Sequence, residues 1–276
     1  MSEFIPALLQ YSFMQHALLA CLLASIGCGI IGTYVVVKRI GFLAGGIAHS
    51  VLAGMGIAYF IGQSPLVGAM IAALVAGFLI GWINLRWRQN EDILIAAFWS
   101  VGMAIGIIFI SRTPGYSVDL MSYLFGNILL VSRQDLLLML GLDVIIILLV
   151  MLFYRQFLAA AFDEEFSRLR GINVEFYYIL LLTMVAITVV LLIQVVGLIL
   201  VLALLILPAA SAAQFVGSIN RMMVLSVLFS ILITSSGLLI SYQPDLPSGS
   251  TIIILAGVFY LVCIGIRNRR SRSRAS

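Results

Sequence analysis

The sequence predicts an all-α protein, a polytopic bundle of eight to nine transmembrane helices, and three observations predict it. Of 276 residues, 63% are hydrophobic and only 9% charged, whereas soluble domains carry about 25% charged residues. The mean hydropathy is +1.20. The apolar residues fall into nine runs, and the basic residues between runs collect in alternate gaps, as the positive-inside rule requires of a membrane protein.

The runs lie near 13–37, 42–62, 66–85, 93–111, 135–154, 176–195, 197–217, 222–241 and 250–266. From Phe176 to Ala213 there is no Asp, Glu, Lys or Arg, a stretch about twice the ~20 residues that span a bilayer, so it reads as two passes. Pro208 makes the second of them, 197–217, the one most open to breaking. Lys38 and Arg39, Arg86 and Arg88, Arg155–Arg170, Arg221 and the Arg-rich tail 267–276 all fall on one side. That side is read as cytoplasmic, with the N-terminus outside and the C-terminus inside. The N-terminus carries Glu3 and no basic residue before its apolar run, unlike a cleaved signal peptide, so the first span is expected to stay. The loop Arg112–Arg133 contains Pro114, Gly115 and a short apolar stretch, Leu120–Val131, which suits a re-entrant or interfacial helix. The whole chain, 1–276, reads as a single transmembrane domain.

Five arginines in Arg267–Arg274 supply most of the net charge of +4. Beside a span they fix topology, and no nucleic-acid partner is expected. Cys21, Cys28 and Cys263 fall within apolar runs as small buried side chains; the alternative at Cys21 and Cys28, seven apart, is metal ligation from one helix face. Gly27, Gly29 and Gly32 spell G-x-G-x-x-G, but inside a span and without the acid about 20 residues later that a dinucleotide site needs. They read as helix packing, as do the four-residue spacings Gly41/Gly45, Gly77/Gly81 and Gly102/Gly106. Zinc-protease, P-loop and Ser/His/Asp patterns do not occur, so neither a hydrolase nor an ATP site is expected, and no resident cofactor.

Ionisable groups at membrane depth usually serve a function. His49 lies ten residues past Arg39, on the order of 15 Å into the bilayer if helical. Small neighbours, Gly45, Gly46, Ala48, Ala53, Gly54 and Gly56, leave space beside its ring. A neutral imidazole is a ligand for zinc, manganese or ferrous iron; the alternative is a hydrogen bond to a neighbouring helix. Asp143 is eight residues past Asp135, roughly 12 Å deep, and is either a metal-contact carboxylate or an interhelical partner. Gln194, Asn127 and Asn84 near span ends need only interhelical hydrogen bonds, and His16 an interfacial position.

In Phe162–Gly171, Asp163, Glu164 and Glu165 precede Arg168 and Arg170, with Phe162, Phe166 and Leu169 at helical spacing: an amphipathic helix with a glycine stop. The charges complement the helix dipole. The apolar residues suit a groove on a soluble partner.

The pattern FDEEF-x-x-x-x-G-I followed by VGLILVLALLILPAASA, with Tyr123–Ser132 (YLFGNILLVS), Gly45–Gly56 (GGIAHSVLAGMG) and Asp245–Gly249 (DLPSG), resembles the metal-ion permease family of ABC importers over nearly the whole chain. The resemblance implies the ABC importer permease fold and a subunit of the bacterial cytoplasmic membrane. Its implied partners are a second copy, a cytoplasmic ATP-binding subunit and an extracytoplasmic metal-binding protein, with zinc, manganese or iron as transported substrate. It implies that His49 is the transport-site histidine, and that Phe162, Asp163, Glu165, Phe166 and Gly171 belong to the coupling element toward the ATPase. Many members carry an aspartate four residues before that histidine, where this chain has Gly45. A less anionic site leans toward zinc, with Asp143 as a candidate for the missing carboxylate. Two rival readings are a permease for vitamin B12, haem or iron-siderophores, and an ion-gradient-driven transporter, which would carry more intramembrane acids.

Overall fold

The computed structural model describes residues 6, 10–87, 91–113, 126, 128–198, 201–242, 244 and 246–273. Among the described residues there are helices and turns but no strand. The helices are α1 (Ser12–Lys38), α2 (Gly41–Phe60), α3 (Pro65–Trp87), α4 (Glu91–Ser111), α5 (Arg133–Phe162), α6 (Glu164–Leu169), α7 (Val174–Val196), α8 (Val201–Ala212), α9 (Ile219–Tyr242) and α10 (Ser248–Ser273). Eight of these, all but α6 and α8, are long and apolar enough to cross a membrane.

Of the span expected over 197–217, the described residues form α8, whose 12 residues fall short of the ~20 a crossing needs. Hydropathy alone could not reveal this, because the chain stays apolar through the break: α7 stops at Val196, Gly197 turns at φ 79°, and α8 then carries Pro208 within one helix. Of the stretch Leu120–Val131, Ile128–Leu130 form a 3-10 turn, while 120–125 and Asn127 lie outside the described residues. So do Glu3, Pro114, Gly115, Tyr123 and Asp245, and the side chain of Gln194. The 30 residues of α5 exceed a simple crossing, and its backbone departs from helical geometry at Phe153, φ −109° and ψ 18°. There the Phe153 ring packs edge-on to Phe157 and Tyr177.

The chain forms two compact units, whose boundaries fall within α1, α5 and α7. The first comprises Met1–Val36, Met121–Asp143 and Leu191–Ser276. In it α8, α9 and α10 pack on one another, and α1 meets α9 through a polar seam. The hydroxyls of Ser25 and Thr234 share a 3.1 Å hydrogen bond, and the Cys28 thiol lies 2.8 Å from the Ser230 hydroxyl. Gly29, from the G-x-G-x-x-G run, sits directly against Val227. All three cysteines are buried free thiols.

The second unit comprises Val37–Leu120 and Val144–Val190. Its centre is α2, which packs on both α3 and α4. The contact with α3 is backbone against backbone: a Cβ on Gly54 would overlap the Gly68 carbonyl, and one on Gly68 the Gly54 carbonyl. Gly56 meets Gly106 of α4 in the same way. Such approach is how helices associate in lipid, where burying apolar side chains supplies no net drive. Gly77 and Gly81 of α3 lie against Leu182 of α7, and the Asn84 amide donates to the Tyr178 hydroxyl at 2.9 Å.

Candidate functional site

His49 lies near the middle of α2 and is 7% exposed. Its imidazole stacks on the Trp99 indole of α4, with ring centroids 3.8 Å apart and planes 13° from parallel. The neighbours of each ring along its own helix explain the stack. Ser50 comes next after His49, and Gly102 lies one turn after Trp99. A Cβ on Gly102 would stand only 2.5 Å from the Ser50 Cα. That close crossing draws the two rings together. The buried Nδ1 of His49 has no hydrogen-bond partner among the described residues, so one face of the ring is fixed while a polar atom on its edge is left available. Gly45 and Gly46, on the preceding turn, are buried.

A cavity of about 380 Å³ adjoins this crossing, lined by Ser50, Ala72, Ala76, Phe98 and Val101 among others. Its one hydroxyl, that of Ser50, donates to the Ile47 carbonyl at 2.8 Å. The walls are therefore almost wholly apolar, and the Ser50 oxygen is the one side-chain atom of the lining that could accept a cation.

Asp143 belongs to the first unit and is 2% exposed. Neither carboxylate oxygen has a hydrogen-bond partner among the described residues, and Cys28 of α1 lies within electrostatic reach. Burying an ionised carboxylate without a partner costs several kcal/mol, a cost that protonation avoids. Cys28 is held by the Ser230 hydroxyl and by the Ser25 carbonyl. Ser226, one turn before Ser230, is buried with its hydroxyl unpartnered among the described residues. No group of three or more His, Cys, Asp or Glu poised to hold a metal occurs among the described residues.

The charged loop folds as the six-residue helix α6. Asp163 caps it, accepting from the Phe166 amide at 2.9 Å. Gly171, at φ 77°, ends it: its amide donates to the Arg168 carbonyl and that of Ile172 to the Ser167 carbonyl, the double bond of a Schellman stop. Both ends are thus fixed locally, and Ser167 is the face turned inward. Phe162, Phe166 and Leu169 are 71%, 49% and 87% exposed. Glu165 is also exposed, and the Arg170 guanidinium lies 4.7 Å from the Phe166 ring centroid. The result is a rigid apolar knob rimmed by charge.

Sequence reasoning singled out His49, Asp143 and the α6 residues as candidates but not Trp99, the residue stacked on His49. The signal was present in the Gly102/Gly106 pair, which marks α4 as a close-packing helix, with Trp99 one turn ahead of it.

Comparison with known proteins agrees with the motif-based expectation. The model of the ABC 3 transport family matches residues 10–267. A probable metal transport system membrane protein of Chlamydia pneumoniae is 41% identical, over 99% of this chain and 96% of the relative. The manganese transport system membrane protein MntC of Halalkalibacterium halodurans is 35% identical, over 93% and 88%. Among solved structures, PsaBC from Streptococcus pneumoniae in complex with Fab superposes with a TM-score of 0.87 at 33% identity, covering 95% of this chain and 94% of that one. With the family matched from the first span to the last and the helical fold shared, the chain belongs to the ABC 3 transport family.

Proposed function

We propose that this chain is the membrane-embedded permease subunit of an ATP-driven importer of divalent transition metal ions, with His49 as a residue the ion meets in transit. The observation that carries the proposal is the buried imidazole at mid-span, its face held by Trp99 and its Nδ1 unpartnered among the described residues, in a chain of this family. An intramembrane ionisable side chain so placed is expected to face the transported ion. Asp143 is a second candidate contact.

Manganese is the first cation to test, because relatives in Halalkalibacterium and Listeria are named manganese transport proteins. Gly45 argues for zinc: with no carboxylate one turn before His49, the site is softer and less anionic. Two copies of the chain, a separate ATP-binding subunit and an extracytoplasmic metal-binding protein complete the machine, with α6 on the cytoplasmic side. The knob of Phe162, Phe166 and Leu169 is the coupling element, capped by Asp163, stopped by Gly171 and rimmed by Glu165. ATP-driven closure of the ATPase pair moves α6 and thereby changes access to His49.

The test is ATP-dependent uptake of Mn²⁺, Zn²⁺ and Fe²⁺ into vesicles holding this subunit with its ATPase and binding protein, comparing wild type with His49→Ala. Selective uptake that the variant loses, with assembly intact, is the expected result. Unchanged uptake in the variant removes His49 from the path, and no uptake of any of the three overturns the reading.

A further inference from the structure

Lys38 is the last residue of α1, and its ammonium bridges two further elements. Nζ donates to the Ala160 carbonyl at 2.8 Å and to Glu164 Oε1 at 2.6 Å. Ala160 lies in the last turn of α5, where carbonyls have no partner within the helix. Glu164 is the first residue of α6. A single side chain therefore ties the end of α1 to the joint between α5 and α6. Its own exposure is 13%, against 53% for Glu164, so the lysine end of the bridge is the shielded one. All of these residues lie within the second unit.

The backbone immediately beyond Lys38 gives the bridge its significance. Arg39 adopts the left-handed region at φ 58°, a strained conformation for a residue with a Cβ, and α2 begins two residues later at Gly41. The turn between α1 and α2 is thus only two residues long, Arg39 in the left-handed region and Ile40 at φ −94°. His49 lies eight residues into α2, about 12 Å along its axis. A displacement of α6 pulls on Lys38, and through that short turn on the N-terminal end of the helix that carries His49.

We infer that Lys38 is the positioning residue that transmits movement of α6 to α2, through its paired contacts with Ala160 and Glu164. The inference rests on the permease reading above. The competing role is static, an ammonium that merely satisfies the carbonyls at the end of α5.

The experiment uses the complete complex, permease with ATPase subunit and binding protein, reconstituted in proteoliposomes, and reads ATP hydrolysed alongside Mn²⁺ and Zn²⁺ taken up. Lys38→Met keeps the length of the side chain and removes the charge. The expected result is an ATPase subunit still bound and still hydrolysing ATP, with ions moved per ATP reduced roughly fivefold or more, the lower range of allosteric couplings. Lys38→Arg is expected to restore most of the ratio. Glu164→Gln changes an exposed side chain with little risk to folding and is expected to lower the ratio less, because the Ala160 contact survives. An unchanged ratio in both Lys38→Met and Glu164→Gln overturns the inference. So does a loss of uptake explained wholly by loss of the ATPase subunit, or a Lys38→Arg variant no better than Lys38→Met. If the wild-type complex moves neither ion with ATP, the permease reading itself fails, and that outcome is read before any variant is compared.

Discussion

Replacing Trp99 by alanine tests whether the stack, rather than the histidine alone, makes the site. The rings lie at 3.8 Å and 13°, nearly face to face, so the ~0.5–1.5 kcal/mol that offset or edge-on aromatic pairs contribute beyond burial is the most this stack supplies. With ~1.4 kcal/mol equal to tenfold in an equilibrium constant, removing it should weaken ion binding by up to about 2- to 12-fold, through an imidazole freed to leave its plane. The fold should survive, because α2 and α4 are held independently where Gly102 meets Ser50 and Gly106 meets Leu52. In lipid, a vacated ring position at a half-buried residue also carries less penalty than in a soluble core. The assay is calorimetric titration of Mn²⁺ and Zn²⁺ into the intact complex in nanodiscs, for wild type, Trp99→Ala, Trp99→Phe and His49→Ala. Phenylalanine keeps a ring over the imidazole and should recover most of the loss. Trp99→Ala binding within twofold of wild type, beside a His49→Ala that binds nothing, would refute a role for the stack in positioning the ligand.

Gly45→Asp adds a carboxylate one turn before His49 and is expected to shift the Mn²⁺ to Zn²⁺ uptake ratio toward manganese by roughly tenfold, or ~1.4 kcal/mol; a ratio that does not move would show that Gly45 plays no part in selectivity. Gly54→Val forces α2 from α3 where the two backbones touch and should cost ~1–3 kcal/mol, read as a lower thermal unfolding midpoint; an unchanged midpoint contradicts the close approach. Phe166→Asp should leave the protein in the membrane yet prevent co-purification of the ATPase subunit, and retained co-purification counts against the docking role of α6. Asp143→Asn preserves volume and removes the ionisable carboxyl, and is expected to slow ion uptake; normal rate and affinity would return Asp143 to helix packing.

Most of the fold could be read directly because lipid leaves the backbone so few options: each crossing must satisfy its own hydrogen bonds, so a span must be a continuous apolar helix of sufficient length. The same simplicity explains the failure at 197–217. A hydropathy window registers only that residues are apolar, and the chain from Val196 to Ala213 is apolar whichever way it runs. What breaks it is the positive φ at Gly197, and a glycine in an apolar run signals packing as readily as turning. The α6 helix was legible for the opposite reason. Its cap, its stop and its apolar spacing are all local, and local interactions are what a short sequence window contains.

The site was legible only in part, because its two components have different physical origins. His49 stands out since an ionisable group at that depth is costly wherever the helix points. Trp99 does not stand out, because a tryptophan in a membrane span is ordinary until the crossing at Gly102 and Ser50 puts it over the imidazole. The seam between α1 and α9 behaves alike: Ser226, Ser230 and Thr234 recur every fourth residue, as do Cys21 and Ser25, but only the structure shows which stripe faces which. The glycines that decide these crossings also bear on function. At Gly54, Gly68, Gly56 and Gly106, α2 meets α3 and α4 with backbone close to backbone. Under the proposed permease role, in which His49 faces each side of the membrane in turn, α2 would have to shift across these backbone contacts.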